Sequence, residues 1–254
     1  MMGTLLRKEF REQWRTYRLL IVAVVLAFFG WSSPPIARYT PLLLKSIPGV
    51  PPEVSLLIPP PTIADAVGQY VKNVAQFGLL LALLVPMGAV ALEKERGTAA
   101  MLLSKPVSRG AFLLAKFIAL GTTFFSGLFL AALGGYYYAR LLFPEPLEAG
   151  RFALLNLLLF LELLVYVALT LLASTLARSQ ATAAGLAAAF FAVLLIPGAF
   201  PQVGRHLPGE LASWGSRLLL EGPAEPAWSA LGISLGLIAL ALLGAWAALR
   251  RQEI

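Results

Sequence analysis

The sequence lacks cysteine and is poor in charged residues and in histidine. Without cysteine, no disulfide, zinc–thiolate site or iron–sulfur cluster can form. Charged residues make up 13% of the 254 residues, about half the share of a soluble domain. Hydrophobic residues make up 59%, and the mean hydropathy is +0.79. Because a soluble fold could not bury so much apolar surface, the sequence predicts an all-α membrane protein with several spans.

Catalytic motifs are also missing. No Gly-x-x-x-x-Gly-Lys-Ser/Thr segment occurs, so the chain lacks that means of holding the phosphates of ATP. The single histidine, His206, falls in a predicted outer loop, where it can neither pair with an intramembrane serine nor assemble a metal site with scattered carboxylates. We therefore expect no catalytic residue, no metal and no cofactor bound by this chain. The net charge of +7 is concentrated at the edges of predicted spans, which favours lipid headgroups over nucleic acid as its partner.

Long apolar runs predict six spans, since a helix needs roughly 20 apolar residues to cross a bilayer. The spans are predicted at 17–31, 73–92, 112–139, 152–177, 181–199 and 228–249. If the N-terminus is cytoplasmic, 13 of the 20 Lys and Arg residues lie inside and seven outside. The positive-inside rule then places both termini in the cytoplasm and residues 32–72 and 201–227 outside. We expect one transmembrane domain over 1–254, in the inner (cytoplasmic) membrane.

The segments between spans have distinct patterns. Residues 2–17 alternate apolar and basic residues at helical spacing, which predicts an amphipathic elbow helix in the headgroup plane, with an ordinary basic flank as the alternative. Nine of the 18 prolines fall in 32–61, which predicts a stiff irregular outer loop. Pro86 should kink the second span. Residues 201–227 predict a short interfacial helix within a broken outer segment before the last span.

A charged loop at 93–111 separates the second and third predicted spans. Gly97 can end the preceding helix. Thr98 can cap the N-terminus of a short helix that follows, and Pro106 would end that short helix. Ser108 is a favourable N-cap for the third span. The pattern predicts a short helix held across the membrane normal between two fixed corners; a merely solvated loop is the alternative.

Two motifs in this loop carry a family resemblance. The pattern Glu-x-Glu-x-Gly-Thr at 93–98 and the pattern Leu-Leu-Ser-x-Pro-Val-Ser-Arg at 102–109, followed by Lys116, resemble the type-2 ABC transporter permeases of two-component exporters. The resemblance implies a permease dimer, formed with a second copy or a relative. It also implies that the loop docks on a separate ABC ATPase that holds ATP and Mg. The implied coupling residues are Glu93, Glu95, Arg96, Gly97, Thr98, Leu102, Leu103, Ser104, Pro106, Ser108 and Arg109. The loop does not identify a substrate.

Two ionisable residues fall inside predicted spans. Glu162 lies well within the fourth span, where a charge costs at least ~2.5 kcal/mol, and Tyr166 and Thr170 continue its helical face. Glu162 either forms a neutral hydrogen bond to a neighbouring helix or lines a translocation path with these two residues. Lys116, near the start of the third span, is expected to extend to the cytoplasmic face.

Two other function classes remain open. An ion-coupled carrier or channel without an ATPase would use Glu162 as its proton site. A membrane scaffold without transport activity would need neither Glu162 nor the loop.

Overall fold

The computed structural model describes residues 2–45, 59–97 and 108–252, and throughout these ranges the ordered elements are helices. In chain order they are α1 (Met2–Arg15), α2 (Arg18–Lys45), α3 (Ile63–Leu84), α4 (Ala91–Glu95), α5 (Arg109–Leu142), α6 (Ala149–Leu176), α7 (Gln180–Gly198), α8 (Pro201–Gly204), α9 (Glu210–Leu220) and α10 (Trp228–Arg251).

Five of these helices, α2, α5, α6, α7 and α10, are long and apolar enough to cross a membrane. The predicted second span at 73–92 is not among them. Its residues belong to α3, which carries Gln69, Lys72 and Asn73 in its first half, to a run of turns around Pro86, and to α4. The proline ends α3 rather than kinking a continuous helix, because Pro86 has no backbone N–H to continue the hydrogen-bond ladder.

The expectation of an irregular loop over 32–61 is wrong for residues 32–45, which continue α2 as helix despite three prolines. The hydroxyl of Ser33 donates to the carbonyl of Phe29 at 2.5 Å and accepts from the side-chain amide of Asn73 at 2.9 Å, which ties this part of α2 to α3. Packing against α5 also holds this part of the helix. The indole N–H of Trp31 donates to the carbonyl of Leu130 at 2.7 Å, and a Cβ on Gly134 would lie 2.0 Å from the Trp31 ring.

The helix starts follow local rules. Thr62 and Asp65 form a reciprocal capping box at α3, with the Thr62 N–H donating to Asp65 at 2.8 Å. The hydroxyl of Ser108 accepts from the N–H of Ala111 at 3.2 Å and caps α5. Gly97 adopts φ +69° just after α4, a backbone conformation that favours glycine. The predicted helix end at Gly97 and the predicted N-cap at Ser108 are confirmed, whereas Pro106, the second predicted corner of the loop, lies outside the described residues.

Helix α6 is the centre of the bundle. It packs against α3, α5, α7, α9 and α10, and Leu155, Leu159 and Leu163 on it are almost fully buried. Helix α9 lies so close to it that a Cβ on Gly215 would come 2.8 Å from the Leu155 side chain. The two short helices α8 and α9 give residues 201–220 the broken form predicted for this segment.

Helix α1 turns one side toward α5 and buries Leu5, Glu9 and Gln13, which are four residues apart. Trp14 and Tyr17 are exposed. The expected position of α1 in the headgroup plane stays a prediction.

Candidate functional site

Several chain segments meet at one end of the bundle, which we call the loop end. They are α1, residues 91–97, the first turns of α5, residues 174–180 and residues 249–252. The described residues of the 93–111 loop are 93–97 and 108–111. The candidate residues Thr98, Leu102, Leu103, Ser104 and Pro106 lie outside the described residues.

A buried ion cluster connects three of these segments. The Lys116 ammonium lies 3.2 Å from both carboxylate oxygens of Glu9 on α1 and 3.0 Å from Glu93 on α4. Its side chain is only 1% exposed. The expectation that Lys116 extends to the cytoplasmic face is therefore wrong, because two carboxylates reach it inside the protein. A buried ammonium is stable only with such partners.

Lys8 and Arg18 complete this cluster. Lys8 lies 2.7 Å from Glu93, 3.1 Å from Glu9 and 3.7 Å from Glu12, and Arg18 lies 3.6 Å from Glu12. Burial lowers the pKa of Lys8, but its hydrogen bonds and charge interactions with Glu93 and Glu9 outweigh this and raise that pKa above its ordinary value. The ammonium therefore stays charged at neutral pH.

The carboxylates at the loop end are not scattered, contrary to the expectation from the sequence. One oxygen from each of Glu9, Glu12 and Glu93 lies within 4.8 Å of the others, an arrangement that could hold a metal ion. The same three carboxylates already pair with the ammonium groups of Lys8 and Lys116. Three basic and three acidic side chains thus balance one another, and the cluster is better described as a set of ion pairs.

Helix α4 is also bound to the ends of α6 and α7. The hydroxyl of Ser174 accepts from the backbone N–H groups of Val90 and Ala91, both at 3.0 Å. Lys94 donates to the backbone carbonyls of Thr175 and Ala177. The Ser174 bonds satisfy backbone donors left free by the break after α3, and the Lys94 bonds satisfy carbonyls at the end of α6.

Two further bonds hold the flanks of the loop. Glu95 accepts from the backbone N–H of Gln180 at 3.3 Å, and Arg109 donates to the carbonyl of Leu249 at the end of α10. Both sides of residues 98–107 are therefore fixed to neighbouring helices. Among the candidate coupling residues, Glu95, Arg96, Gly97 and Ser108 are exposed. Glu93 instead is 9% exposed and belongs to the ion cluster.

The second candidate region lies halfway along α6. Glu162 is 8% exposed, and its Oε1 lies 3.9 Å from the position that a Cβ would take on Gly209. Its Oε2 has no hydrogen-bond partner within the described residues. The segment between α7 and α9 therefore reaches the middle of α6.

Glu162 and Tyr166 come together beside a cavity of about 480 Å³. Tyr166 lines it, and Tyr166 also packs edge-to-face on Phe191 of α7 at 4.8 Å between ring centroids. Gly209, which adjoins Glu162, is part of the cavity wall. Thr170 is fully buried farther along α6 and does not line this cavity.

Comparison with known proteins decides the family. The model of the family described as "ABC-2 family transporter protein" matches residues 4–253. The chain belongs to the ABC-2 transporter family. This confirms the resemblance carried by the loop motifs, and it makes the protein a multi-pass membrane subunit of an ABC transporter, of a family whose permeases work with ABC ATPase subunits.

Two relatives are similar to the permease over different lengths. The transmembrane protein YxlG of Bacillus subtilis is 29% identical over 99% of the permease and 98% of its own length. The probable ABC transporter permease protein NosY of Pseudomonas aeruginosa is 36% identical over 58% of the permease and 55% of its own length.

The sequence did not indicate the partners inside the permease. Glu9 had one available signal: it is an acidic residue four positions from both Leu5 and Gln13 on a helix with four basic and two acidic residues. No spacing rule connects it to Lys116, which is 107 positions away. Ser174 and Lys94, which bind the break between α3 and α4 to α6, gave no signal either.

Proposed function

We propose that the permease couples ATP hydrolysis on a separate ABC ATPase to the export of a substrate. In this proposal α3 acts as a sixth span, both termini lie in the cytoplasm, and α1 is an elbow helix at the surface of the cell inner membrane. A second copy or a relative completes the translocation path. ATP and Mg are held by the ATPase chains.

The docking element in this proposal is the 93–111 loop at the loop end. Support comes from the fixed flanks of residues 98–107: Lys94 and Glu95 bind to the region between α6 and α7, while Arg109 binds to the end of α10. Because both flanks of the loop are bound to other helices, a movement of the docked partner would displace several helices together. A loop without such contacts would change its own conformation instead. This fixation is the observation on which the proposal chiefly depends.

The proposed path runs beside Glu162, Tyr166 and Thr170. The first two lie beside one cavity, and Glu162 has an oxygen with no hydrogen-bond partner among the described residues. An ionisable side chain in the middle of a membrane span costs free energy on insertion into the bilayer. Such side chains are commonly found where a substrate or ion passes.

The test is co-purification of the ATPase with tagged permease, followed by measurement of substrate-stimulated hydrolysis. Replacing Leu102 and Leu103 together with Asp should abolish both, because the apolar turn of a docking loop is expected to fill a socket on the partner. Val203→Asp provides a matched control, since Val203 is an exposed apolar residue on α8, away from the loop end. A fully coupled complex formed by the double variant would disprove docking through this loop.

The unpartnered oxygen of Glu162 also favours a second candidate, an ion-coupled carrier without an ATPase. Transport into vesicles driven by a proton gradient in the absence of ATP would support it. Strict dependence of transport on ATP would reject it.

A further inference from the structure

The cavity beside α6 has the size and lining of a small-molecule site. Its volume of about 480 Å³ falls within the usual range of ligand pockets. The walls come from α6, the end of α7 and the segment that contains α8 and the start of α9. Leu194, Leu195 and Leu207 supply much of the apolar surface. A ligand there would rest on an apolar wall while its polar group met one of the few polar side chains.

Glu162 lies directly behind the cavity wall at Gly209, although it is not itself one of the lining residues. Its carboxylate is directed at Gly209 in the cavity wall, and more than nine-tenths of the residue is buried. None of the ion pairs in the described part of the chain involves Glu162. A buried carboxylate that lacks a full set of partners is costly, and a cationic or hydrogen-donating ligand would remove that cost.

Two charged residues line the cavity: Glu210, whose charge is balanced by an ion pair, and Arg205, whose charge is exposed to water. Glu210 pairs with Arg217 at 2.5 Å, and exposed Arg205 donates to the His206 ring at 3.0 Å. The aromatic ring of Tyr166 lines the cavity one helical turn from Glu162. A carboxylate beside an aromatic ring suits a cation, because the ring face attracts positive charge as the carboxylate does.

We propose that this cavity binds an amphipathic organic ammonium ion, with its ammonium group at Glu162 and Tyr166 and its apolar body against the leucine wall. The proposal deepens the proposed function by naming the class of substrate, and it rests on that function in treating the bound compound as cargo.

The test uses two compounds of the same shape, adamantylamine, which is protonated at neutral pH, and uncharged adamantanol. Binding of each to the full-length permease is measured by titration calorimetry in nanodiscs of zwitterionic lipid. The wild type should bind the amine at least about tenfold more tightly. Glu162→Gln should remove this preference while leaving adamantanol binding unchanged. Glu148→Gln, at an exposed acidic residue just before α6, should keep the preference. Equal binding of the two compounds by the wild type, or a preference that persists in Glu162→Gln, would overturn the proposal.

A second variant tests the location without altering charge. Gly209 has φ −60°, and a Cβ there would lie 3.9 Å from Glu162 Oε1, so Gly209→Leu is compatible with the backbone and adds apolar bulk to the cavity wall beside Glu162. It should weaken binding of both compounds about tenfold or more, with the thermal unfolding midpoint as a check on folding. Unchanged binding would show that the compounds bind elsewhere and would overturn the proposal.

These measurements need neither ATPase nor nucleotide, so their outcome is separate from the docking test. A coupled complex whose permease shows no amine preference would refute the ammonium site alone. An amine preference in a permease that recruits no ATPase would refute the proposed function alone.

Discussion

Lys116 provides the sharpest test of how the loop end is held together. Replacing it with Met keeps the length and the apolar stem of the side chain but removes the ammonium group. Glu9 and Glu93 then retain Lys8, whose side chain is 35% exposed, and the cluster changes from three positive and three negative groups to two and three. Because Lys116 is 1% exposed, water cannot replace it.

Removing one partner of a buried ion pair costs about 3–5 kcal/mol, because the remaining charge stays buried and uncompensated. We expect Lys116→Met to destabilise the permease by this order. Adding Glu9→Gln should recover part of the loss, since it removes the charge left without compensation. A double-mutant cycle should give a coupling energy of about 1–3 kcal/mol between the two positions.

The assay is reversible unfolding in mixed micelles, together with ATPase co-purification to follow the effect at the loop. Lys72→Met is the matched control, since Lys72 is exposed and the change should cost less than about 0.5 kcal/mol. A Lys116→Met variant as stable as this control, or a cycle with no coupling, would refute the conclusion that the buried pairs hold α1, α4 and α5 together.

Three further predictions test separate parts of the structure. Single cysteines in place of Thr16 and Gln202 should react with impermeant thiol reagents from opposite sides of the membrane; labelling from the same side would contradict the proposed orientation. Gly134→Val should destabilise the permease by about 1–3 kcal/mol because its side chain would overlap Trp31, whereas Gly232→Ala, which meets nothing within 4 Å, should have little effect. Glu93 and Glu9 raise the folded-state pKa of Lys8 above its ordinary value of 10.5. The charged Lys8 side chain should therefore stabilise the fold fully below pH 10.5, and this stabilisation should be lost as the pH rises through the folded-state pKa. Lys8→Met should reduce the loss of thermal stability above roughly pH 10.

Local features of the fold could be predicted because they depend on neighbouring residues. The capping box at Thr62 and Asp65, the cap at Ser108 and the left-handed turn at Gly97 each involve residues no more than a few positions apart. The same kind of reasoning failed for the prolines after residue 32. There the contact of Ser33 with Asn73 on α3 and the contact of Trp31 with α5 hold a helix that proline alone would break.

The sequence by itself determined that this is a helical membrane protein, since hydropathy adds up along each segment, and its loop motifs indicated the family that the whole-chain match confirms. Only the tertiary structure decided the surroundings of the polar side chains. Whether Lys116 reaches water or a carboxylate depends on Glu9, which lies 107 positions away. Whether Glu162 faces lipid, a neighbouring helix or a cavity depends on the segment between α7 and α9, which brings Gly209 next to it. The physical reason is that a buried charge is stabilised by the groups that folding brings to it, and spacing along one helix does not specify those groups.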